Sequence, residues 1–476
     1  MLSKTNLSAL VYLTNNWLSL IGVVLVTTAT VFWLFLLPET LRGEVTHPYI
    51  GILIFLVLPA AFFAGLALIP AGIFLLRKRG SAIPARTDFP PLNWQNRDFR
   101  RLVLFVGITT VLNIIIGSQL SYGAVNYMDT VTFCGLTCHT VMQPEYTAHQ
   151  NSPHARVACV ACHIGPGASW FVRSKLSGTS QVFHTILADY PRPIPSPVES
   201  LRPARETCEV CHWPQRFDPD RLRVIEEYGE DEQNSLTYTV LLMKIGGGTR
   251  SQGIHGMHVG QGIHIRYAYS DEKRQTIPWV EYTDAQGHTT VYSTAGSKTP
   301  LPGNLPIREM DCVDCHNRPT HAFQLPGHAM DEAIANYQIS PALPFIKKEG
   351  TAVLQQGYAS RSEAARQIPV ALDAFYRQKY PDVYQQHQAL VRQAGNAIVQ
   401  IYLRNVFPAM KVTWGTYFDN IGHNDFPGCF RCHDGNHVSA SGKAVTQDCG
   451  ACHDLLAVQE PSPKILTELG ISGAAK

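Results

Sequence analysis

Three long apolar stretches occupy most of the first 128 residues. They cover Trp17–Leu37, Pro48–Leu76 and Leu102–Met128, and none of them contains a charged residue. Each reaches the roughly 20 residues that an α-helix needs to cross hydrocarbon. The pattern predicts a membrane anchor over 1–122 with three spans, near 17–37, 50–76 and 102–122. The alternative is a set of buried core helices in a soluble protein.

Basic residues are distributed unequally over the two loops between these stretches. The first loop contains only Arg42, whereas the second contains Arg77, Lys78, Arg79, Arg86, Arg97, Arg100 and Arg101. Because short loops rich in Lys and Arg stay in the cytoplasm, the amino terminus is predicted to be cytoplasmic and everything after the third span periplasmic. The first stretch is too long for a signal-peptide core, so we interpret it as a retained anchor.

After residue 128, shorter segments have patterns of apolar and polar residues that are typical of strands and helices. Four segments rich in Val, Ile, Thr and Tyr are separated by turn-forming residues, which predicts a small antiparallel β insert within 216–311. These segments are Leu236–Ile245, Gly262–Tyr269, Ile277–Tyr282 and His288–Ser293. Ser362–Lys379 and Pro381–Val406 have mixed apolar and polar spacing with few breakers, which predicts two helices within the segment 331–420.

The 12 cysteines form six close pairs. In five pairs the spacing is Cys-x-x-Cys followed at once by His, and these motifs, numbered 2 to 6 in chain order, are 159–163, 208–212, 312–316, 429–433 and 449–453. This is the attachment signature of c-type haem, in which two thiols hold the porphyrin and the histidine binds the iron. The predicted attachment residues are Cys159, Cys162, Cys208, Cys211, Cys312, Cys315, Cys429, Cys432, Cys449 and Cys452. The predicted iron ligands are His163, His212, His316, His433 and His453. A thioredoxin-like pair, a zinc site or disulfides would not place histidine after every second cysteine.

The sixth pair departs from this spacing. Cys134 and Cys138 have three residues between them, with His139 directly after and Met142 three residues further on. We interpret it as motif 1, a sixth haem site, because the other five motifs leave only these two cysteines unused. The alternative is an unmodified thiol pair. Either His139 or Met142 is expected to bind this iron, and ordinary packing under the porphyrin is the other role open to Met142.

Each haem iron has a second axial position, and the chain is rich in further histidines. We predict the distal ligands near the motifs or in glycine-rich sequence: His154, His321, His423, His437, and one of His255 and His258. His149 and His264 are weaker candidates, and His184, His288, His328 and His387 are assigned to the surface or core. A second histidine at most irons favours electron transfer over catalysis at the haem.

The motifs divide the periplasmic part into segments. Haems 1 to 3 belong to 123–215, haem 4 to 312–330, haems 5 and 6 to 421–458, and 459–476 is expected to be a peripheral tail. The predicted fold is thus three transmembrane α-helices plus a multihaem c domain, mostly irregular or helical chain around stacked haems, with the β insert. Haem faces rather than one apolar core are expected to supply the packing surface. A net charge of +2 indicates no nucleic-acid partner.

Residues 133–176 resemble the NapC/NirT type of membrane-anchored multihaem quinol dehydrogenases. The resemblance rests on Phe133 with motif 1 and a methionine behind it, then Tyr146, His154, motif 2, and Lys175 twelve residues after His163. It implies a first haem at the membrane face, bound by a methionine or weakly coordinated, beside a quinol site that uses this lysine. The chain departs from the family in having three predicted spans and six haem motifs, and Val182 where an acidic residue is expected.

More of the chain resembles the larger inner-membrane cytochromes of metal-respiring bacteria. The matching stretches are 164–178, 314–321 and 427–434. This resemblance implies a hexahaem cytochrome that oxidises menaquinol at the outer face of the inner membrane and reduces periplasmic carriers or reductases in anaerobic respiration. Lys175 and Arg173 would hold the quinol oxygen, and Glu145 would accept a proton. The alternatives are a relay subunit of a larger complex, a haem reductase of nitrite or a similar molecule, and reversed electron flow.

Overall fold

The structure, a computed structural model, describes residues 16–41, 56–78, 94–95, 100, 118–119, 122–137, 139–165, 167–198, 201–214, 217, 220–247, 252–294 and 303–471. The chain divides into two compact units, Met1–His139 and Thr140–Lys476. The division falls at the end of motif 1, so the predicted membrane anchor lies in the first unit and motifs 2 to 6 lie in the second.

Two apolar helices are described in the first unit. Helix α1 covers Trp17–Leu41 and helix α2 covers Leu58–Lys78, where the sequence predicts the first two spans. Within the described residues, Leu58–Leu75 is long and apolar enough to cross a membrane, and α1 contributes the shorter apolar stretch Trp17–Thr30. The third predicted span lies outside the described residues except for 118–119 and 122, and it stays a prediction.

Helices α1 and α2 pack closely through small residues. A Cβ atom on Gly22 would lie 2.6 Å from the carbonyl oxygen of Gly65, and one on Gly65 would lie 2.7 Å from that of Gly22. The Ser19 hydroxyl donates to the carbonyl oxygen of Ile69 at 2.8 Å. Close approach of small residues with an interhelical hydrogen bond is how apolar helices associate in lipid, where the hydrophobic effect does not drive them together.

The second unit combines short helices at the cysteine motifs, a group of longer helices and two sheets. The α-helices are His139–Gln150 (α3), Cys159–His163 (α4), Ala168–Ile186 (α5), Ala204–Cys208 (α6), Gly253–Val259 (α7), Cys312–Cys315 (α8), Pro326–Ala335 (α9), Ile346–Leu354 (α10), Arg361–Lys379 (α11), Pro381–Asn405 (α12) and Lys464–Glu468 (α13). The strands are Arg221–Tyr228 (β1), Leu236–Met243 (β2), His264–Ala268 (β3), Trp279–Thr283 (β4), Thr289–Thr294 (β5), Ile307–Glu309 (β6), His437–Ser439 (β7) and His453–Glu460 (β8). Short 3-10 turns cover Pro408–Met410, Gly428–Arg431 and Cys449–Ala451.

Both sheets are antiparallel, with strand orders β1-β2-β8 and β6-β3-β4-β5-β7. Strands β2 to β5 overlap the four predicted strands, so the prediction of small antiparallel sheets is confirmed. The sheets are not confined to an insert, however, because β7 and β8 follow motifs 5 and 6. Strand β2 buries Tyr238 and Val240, and Ala457 of β8 covers them together with Leu466. Ile465 and Leu466 of α13 therefore pack against this sheet, and the peripheral tail at 459–476 stays a prediction.

Helices α9 to α12 form an apolar core of their own. The predicted helices at 362–379 and 381–406 correspond to α11 and α12 and are confirmed. In α11 the buried residues Ala364, Ile368, Leu372 and Tyr376 recur every four positions and form one face. This face packs against α12 and the buried sides of α9 and α10. The expectation that haem faces supply the packing surface here is wrong, since side chains fill this core.

We expect Gly65→Leu to destabilise the pair of α1 and α2. A larger side chain would meet the Gly22 carbonyl oxygen and the Val26 side chain, 2.9 Å from the first carbon. Overpacking of this kind costs about 1–3 kcal/mol. The measurement is the unfolding of the purified full-length protein in detergent. Phe63→Leu is the control, because Phe63 is exposed on the same helix, and equal losses in both variants would contradict the close packing.

Candidate haem centres

Motifs 2 to 6 each form a single turn of chain. Motif 2 is helix α4, and motif 4 begins on helix α8, where Asp311 caps the helix and accepts from the Cys312 amide. In motifs 3, 4 and 5 the histidine amide donates to the carbonyl oxygen of the first cysteine, at 2.8, 2.8 and 3.1 Å. One turn therefore presents two thiols and an imidazole together, as attachment to a single porphyrin edge requires.

Each motif histidine of motifs 2 to 6 faces a histidine from elsewhere in the chain. The ring centres are separated by 6.2 Å for His163–His321, 5.9 Å for His212–His154, 6.1 Å for His316–His255, 5.8 Å for His433–His258 and 6.2 Å for His453–His423. Two metal–nitrogen bonds of about 2 Å, plus roughly 1 Å from each nitrogen to its ring centre, add to about 6 Å. Each pair is thus spaced to bind one iron between its rings.

Hydrogen bonds at Nδ1 orient several of these rings. The Nδ1 atoms of His154, His258, His321 and His433 lie 3.2, 2.7, 3.1 and 2.7 Å from the backbone carbonyl oxygens of Pro319, Ile254, Glu145 and Thr446. A carbonyl oxygen can only accept, so Nδ1 must carry the proton. The remaining nitrogen, Nε2, is then unprotonated and available to a metal, an arrangement that is common among metal-binding histidines.

Burial favours the neutral, metal-binding form of these rings. Desolvation lowers the pKa of five paired histidines: His163, His255, His258, His316 and His321. The pKa of His321 falls to about 3, because burial acts first and the neighbouring Arg318 guanidinium adds to it. A neutral imidazole offers a free lone pair, which is the state that iron coordination needs.

One short helix carries two of the facing histidines. His255 and His258 lie three residues apart on α7, so they project from the same side of the helix. His255 faces His316 of motif 4, and His258 faces His433 of motif 5. From the sequence, only one of the two was predicted to be a distal ligand. A pair of histidines at a helical spacing of three was the signal that could have indicated both.

His437 differs from the other five distal candidates. It is 1% exposed, its Nδ1 lies 2.8 Å from an Asp434 carboxylate oxygen, and its Nε2 lies 2.6 Å from the carbonyl oxygen of Ile277. Both ring nitrogens are therefore engaged within the protein, and among the described residues no motif histidine faces this ring. His437 joins motif 5 to the five-stranded sheet, which is a structural role.

Neighbouring motifs contact each other in chain order. Helix α6, which ends on Cys208 of motif 3, is in contact with helix α8 of motif 4. Helix α4, which is motif 2, is in contact with α6. Arg431 of motif 5 donates to the Asp314 carbonyl oxygen of motif 4 at 2.7 Å, and Nδ1 of His433 in motif 5 lies 2.7 Å from the carbonyl oxygen of Thr446, just before motif 6. Motifs 2, 3, 4, 5 and 6 thus form a continuous series.

Motifs 4 and 5 are joined through the variable residues between their cysteines. Asp314 is 3% exposed and accepts hydrogen bonds from the Tyr267 hydroxyl at 2.6 Å and from Arg308 Nε at 2.9 Å. Its carbonyl oxygen accepts from Arg431 Nη2 of motif 5 at 2.7 Å and from Asn420 Nδ2 at 3.0 Å. The sequence did not predict this network, although opposite charges inside two consecutive motifs were a signal for it.

Glu145 lies in a polar cluster beside His321. The guanidinium Nη2 of Arg318 is 3.2 Å from one Glu145 carboxylate oxygen, and His321 Nδ1 is 3.1 Å from the same oxygen. The Arg318 side chain is 8% exposed and stacks over the ring of Tyr417 at 4.2 Å. The carboxylate suggested by sequence for proton transfer is therefore engaged in holding the ring that faces His163.

Lys175 and Arg173 occupy different sides of helix α5. Lys175 is half-buried, with its Nζ 4.8 Å from the centre of the Phe171 ring, whereas the exposed Arg173 lies 5.0 Å from the Trp170 ring. Two positions apart on a helix means about 200° around its axis, so the two cations do not converge on one point. Both cations lie beside an aromatic ring, and Lys175 is the less exposed of the two.

Motif 1 is described only in part. Cys134 lies in a short π-helical turn, Phe133–Thr137, whereas Cys138 and the His139 side chain lie outside the described residues. Met142 packs against the apolar cluster that contains Val141 and Met410. Haem attachment at motif 1 and the choice between His139 and Met142 as ligand stay predictions.

Comparisons with known proteins agree with these features. Residues 96–193 match the family described as NapC/NirT cytochrome c family, N-terminal region. The chain is also 41% identical over 448 residues to cytochrome c-type protein ImcH of Geobacter sulfurreducens, covering 93% of this chain and 88% of the relative. No solved structure matches. A c-type cytochrome holds haem c covalently, and the motif turns and facing imidazoles fit that group.

We expect Asp314→Asn to lower stability strongly. The substitution removes the negative charge between Arg308 and Arg274, whose Nη1 lies 3.6 Å from the carboxylate. Breaking a buried ion pair by removing one partner costs about 3–5 kcal/mol. Glu281→Gln is the control, because its pair with Arg266 is half exposed and is worth at most about 1 kcal/mol. Denaturant unfolding of the haem-loaded proteins measures both; similar losses would contradict the role of Asp314.

Proposed function

The chain belongs to the NapC/NirT-type c-type cytochromes and is homologous over most of its length to the c-type cytochrome ImcH, and from this we propose a hexahaem carrier that oxidises menaquinol. The haem domain is periplasmic and the amino terminus cytoplasmic. Electrons pass to a periplasmic cytochrome or reductase during anaerobic respiration. The single observation that carries the electron-transfer proposal is the set of five facing histidine pairs, because two strong axial ligands make an iron an electron carrier.

We assign a distal ligand to each of motifs 2 to 6 from these pairs. His321 serves motif 2, His154 motif 3, His255 motif 4, His258 motif 5 and His423 motif 6. His437 is left out of the ligand set because both of its nitrogens are hydrogen-bonded. Haem c, when bound, supplies an iron that takes up and releases one electron at a time.

We assign the contact with the quinol oxygen to Lys175, as the family resemblance implies. Oxidation of menaquinol to menaquinone releases two electrons and two protons, so the site must orient a hydroxyl group and let protons leave. An ammonium group can donate a hydrogen bond to a quinol oxygen and stabilise negative charge that develops as the proton departs. Lys175 is supported by its position relative to motif 2 and by its place beside Phe171.

We assign Glu145 and Arg318 to positioning the His321 ring. Their contacts fix the Nδ1 side of His321, which holds its other nitrogen toward the His163 ring. Carboxylates in this position orient metal-binding histidines and make them more basic. We therefore revise the sequence-based role of Glu145 from proton acceptor to support of the motif 2 ligand, and Arg173 is kept as a headgroup or quinol contact.

The continuous series of motifs 2 to 6 supports electron transfer from one haem to the next through the domain. Contacts between consecutive motifs, including the network of Asp314 and Arg431, keep neighbouring attachment sites adjacent. Electrons that enter at motif 1 would leave near motif 6. A reductase of nitrite or a similar molecule needs an open iron, and among motifs 2 to 6 each motif histidine already has a partner. A relay subunit and reversed flow remain the competing roles.

We expect Lys175→Met to slow haem reduction by a menaquinol analogue. Loss of one charge-assisted hydrogen bond, worth about 1.5–3 kcal/mol, corresponds to roughly ten- to a hundredfold in rate. Reduction by dithionite, followed by visible absorption, should remain complete. Lys464→Met is the control because Lys464 is an exposed lysine on α13. Normal quinol kinetics in Lys175→Met would overturn the assignment of this lysine.

We expect His258→Met to raise the reduction potential of one haem. A thioether in place of an imidazole favours ferrous iron, as in Met/His cytochromes. His437→Gln is the matched comparison, since it removes a buried histidine of the same region that we do not assign to iron. Redox titration of the full-length protein should show one shifted component in the first variant and none in the second. A shifted haem in His437→Gln would contradict the ligand set.

A further inference from the structure

Motif 5 has a backbone carbonyl group at Nδ1 of both facing imidazoles. Nδ1 of His258 lies 2.7 Å from the carbonyl oxygen of Ile254, and Nδ1 of His433 lies 2.7 Å from that of Thr446. Both are short distances for an N–H···O hydrogen bond. Because a carbonyl oxygen only accepts, each Nδ1 carries the proton and leaves Nε2 to the metal. Both rings at motif 5 are therefore hydrogen-bonded ligands.

Motif 4, the neighbour of motif 5 in the series, lacks these acceptors within the part of the chain that the structure describes. Nδ1 of His255 is buried and has no hydrogen-bond partner there. The ring lies instead beside the Phe217 ring, with 4.7 Å between the ring centres. The hydrogen bond described for His316 comes from its backbone amide and not from its ring. His255 and His258 share helix α7, so the two sites form a matched pair that differs at Nδ1.

A hydrogen bond donated from Nδ1 changes the imidazole as an iron ligand. It makes the ring more basic, and the loss of such a partner typically costs about 10- to 100-fold in metal affinity. A more basic ligand stabilises ferric iron more than ferrous iron, because ferric iron carries one more positive charge. The reduction potential of the haem falls as a result. A tenfold stronger preference for ferric iron corresponds to about 59 mV for one electron.

Charged side chains act on both motifs and do not remove this difference. Arg431 belongs to motif 5 and donates to motif 4, so its charge is shared by the two sites. Each motif has one acidic neighbour in the sequence, because Asp311 directly precedes motif 4 and Asp434 directly follows motif 5. The buried carboxylate of Asp314 in motif 4 is paired with two arginine side chains. The hydrogen bonds at Nδ1 are therefore the clearest difference between the two sites.

We propose that Ile254 and Thr446 are positioning residues whose carbonyl groups give the motif 5 haem a lower reduction potential than the motif 4 haem. An electron then moves uphill from motif 4 to motif 5 and resides longer at motif 4. The inference rests on the proposed electron transfer through motifs 2 to 6, and it adds which step of that series is unfavourable.

Redox titrations of the haem-loaded full-length protein test the order of the two potentials. His258→Met and His255→Met each replace one imidazole by a thioether, which moves one component of the titration to higher potential. The component that leaves its original place gives the potential of motif 5 in the first variant and of motif 4 in the second. We expect the motif 5 component to lie below the motif 4 component. Equal potentials or the reverse order would overturn the inference and leave the electron-transfer proposal intact, whereas a variant that moves no component would overturn both.

A second pair of variants tests whether the carbonyl group is the cause. His258→Gly and His255→Gly remove the distal ring while the cysteines keep the haem attached, and imidazole or 1-methylimidazole is then added as the ligand. The two compounds are similarly basic, but only imidazole can donate an N–H to the Ile254 carbonyl group. At position 258 we expect 1-methylimidazole to give the higher potential or to bind more weakly, and at position 255 we expect no difference. Equal behaviour of the two compounds at position 258, or the same difference at both positions, would overturn the role of the carbonyl group.

Discussion

Two imidazole rings that bind one iron must face each other with their centres about 6 Å apart. In this chain five motif histidines meet that constraint with histidines supplied by other segments. His163 faces His321 and His453 faces His423, so each pair ties a local turn to a different part of the fold. The rest of the fold holds these rings at the required distances. Helix α7 carries two of the facing histidines, and the sheets and the α9–α12 core hold the segments that carry the motifs.

Two kinds of contact hold the histidine rings in place. Backbone carbonyl groups fix Nδ1 of several histidines, which leaves Nε2 for the metal. Charged networks then join one motif to the next, with Asp314 and Arg431 between motifs 4 and 5 and Glu145 and Arg318 beside the motif 2 pair. Buried charges of this type are costly unless fully paired, so their presence between motifs indicates that precise placement matters there. Electron relay between fixed centres requires that placement.

Local sequence patterns predicted the parts of the fold that depend on local chemistry. The cysteine spacing located the attachment turns, alternation located β2 to β5, and apolar runs located α1 and α2. Contacts between residues far apart in the sequence could not be predicted from local patterns. Nothing local distinguishes His437, whose nitrogens bond to Asp434 and Ile277, from His423, which faces His453. Strand β8 was missed because its role depends on β2, which precedes it by more than 200 residues.

The central claim is that motifs 2 to 6 each hold an iron between two imidazoles. Low-temperature EPR of the fully oxidised full-length protein, with spin quantitation against the total iron, tests it most directly. The account predicts five low-spin ferric haems with bis-imidazole signals per chain, and one further haem with a different signal from motif 1. Fewer than five such low-spin haems in a protein with all its haems attached would contradict it.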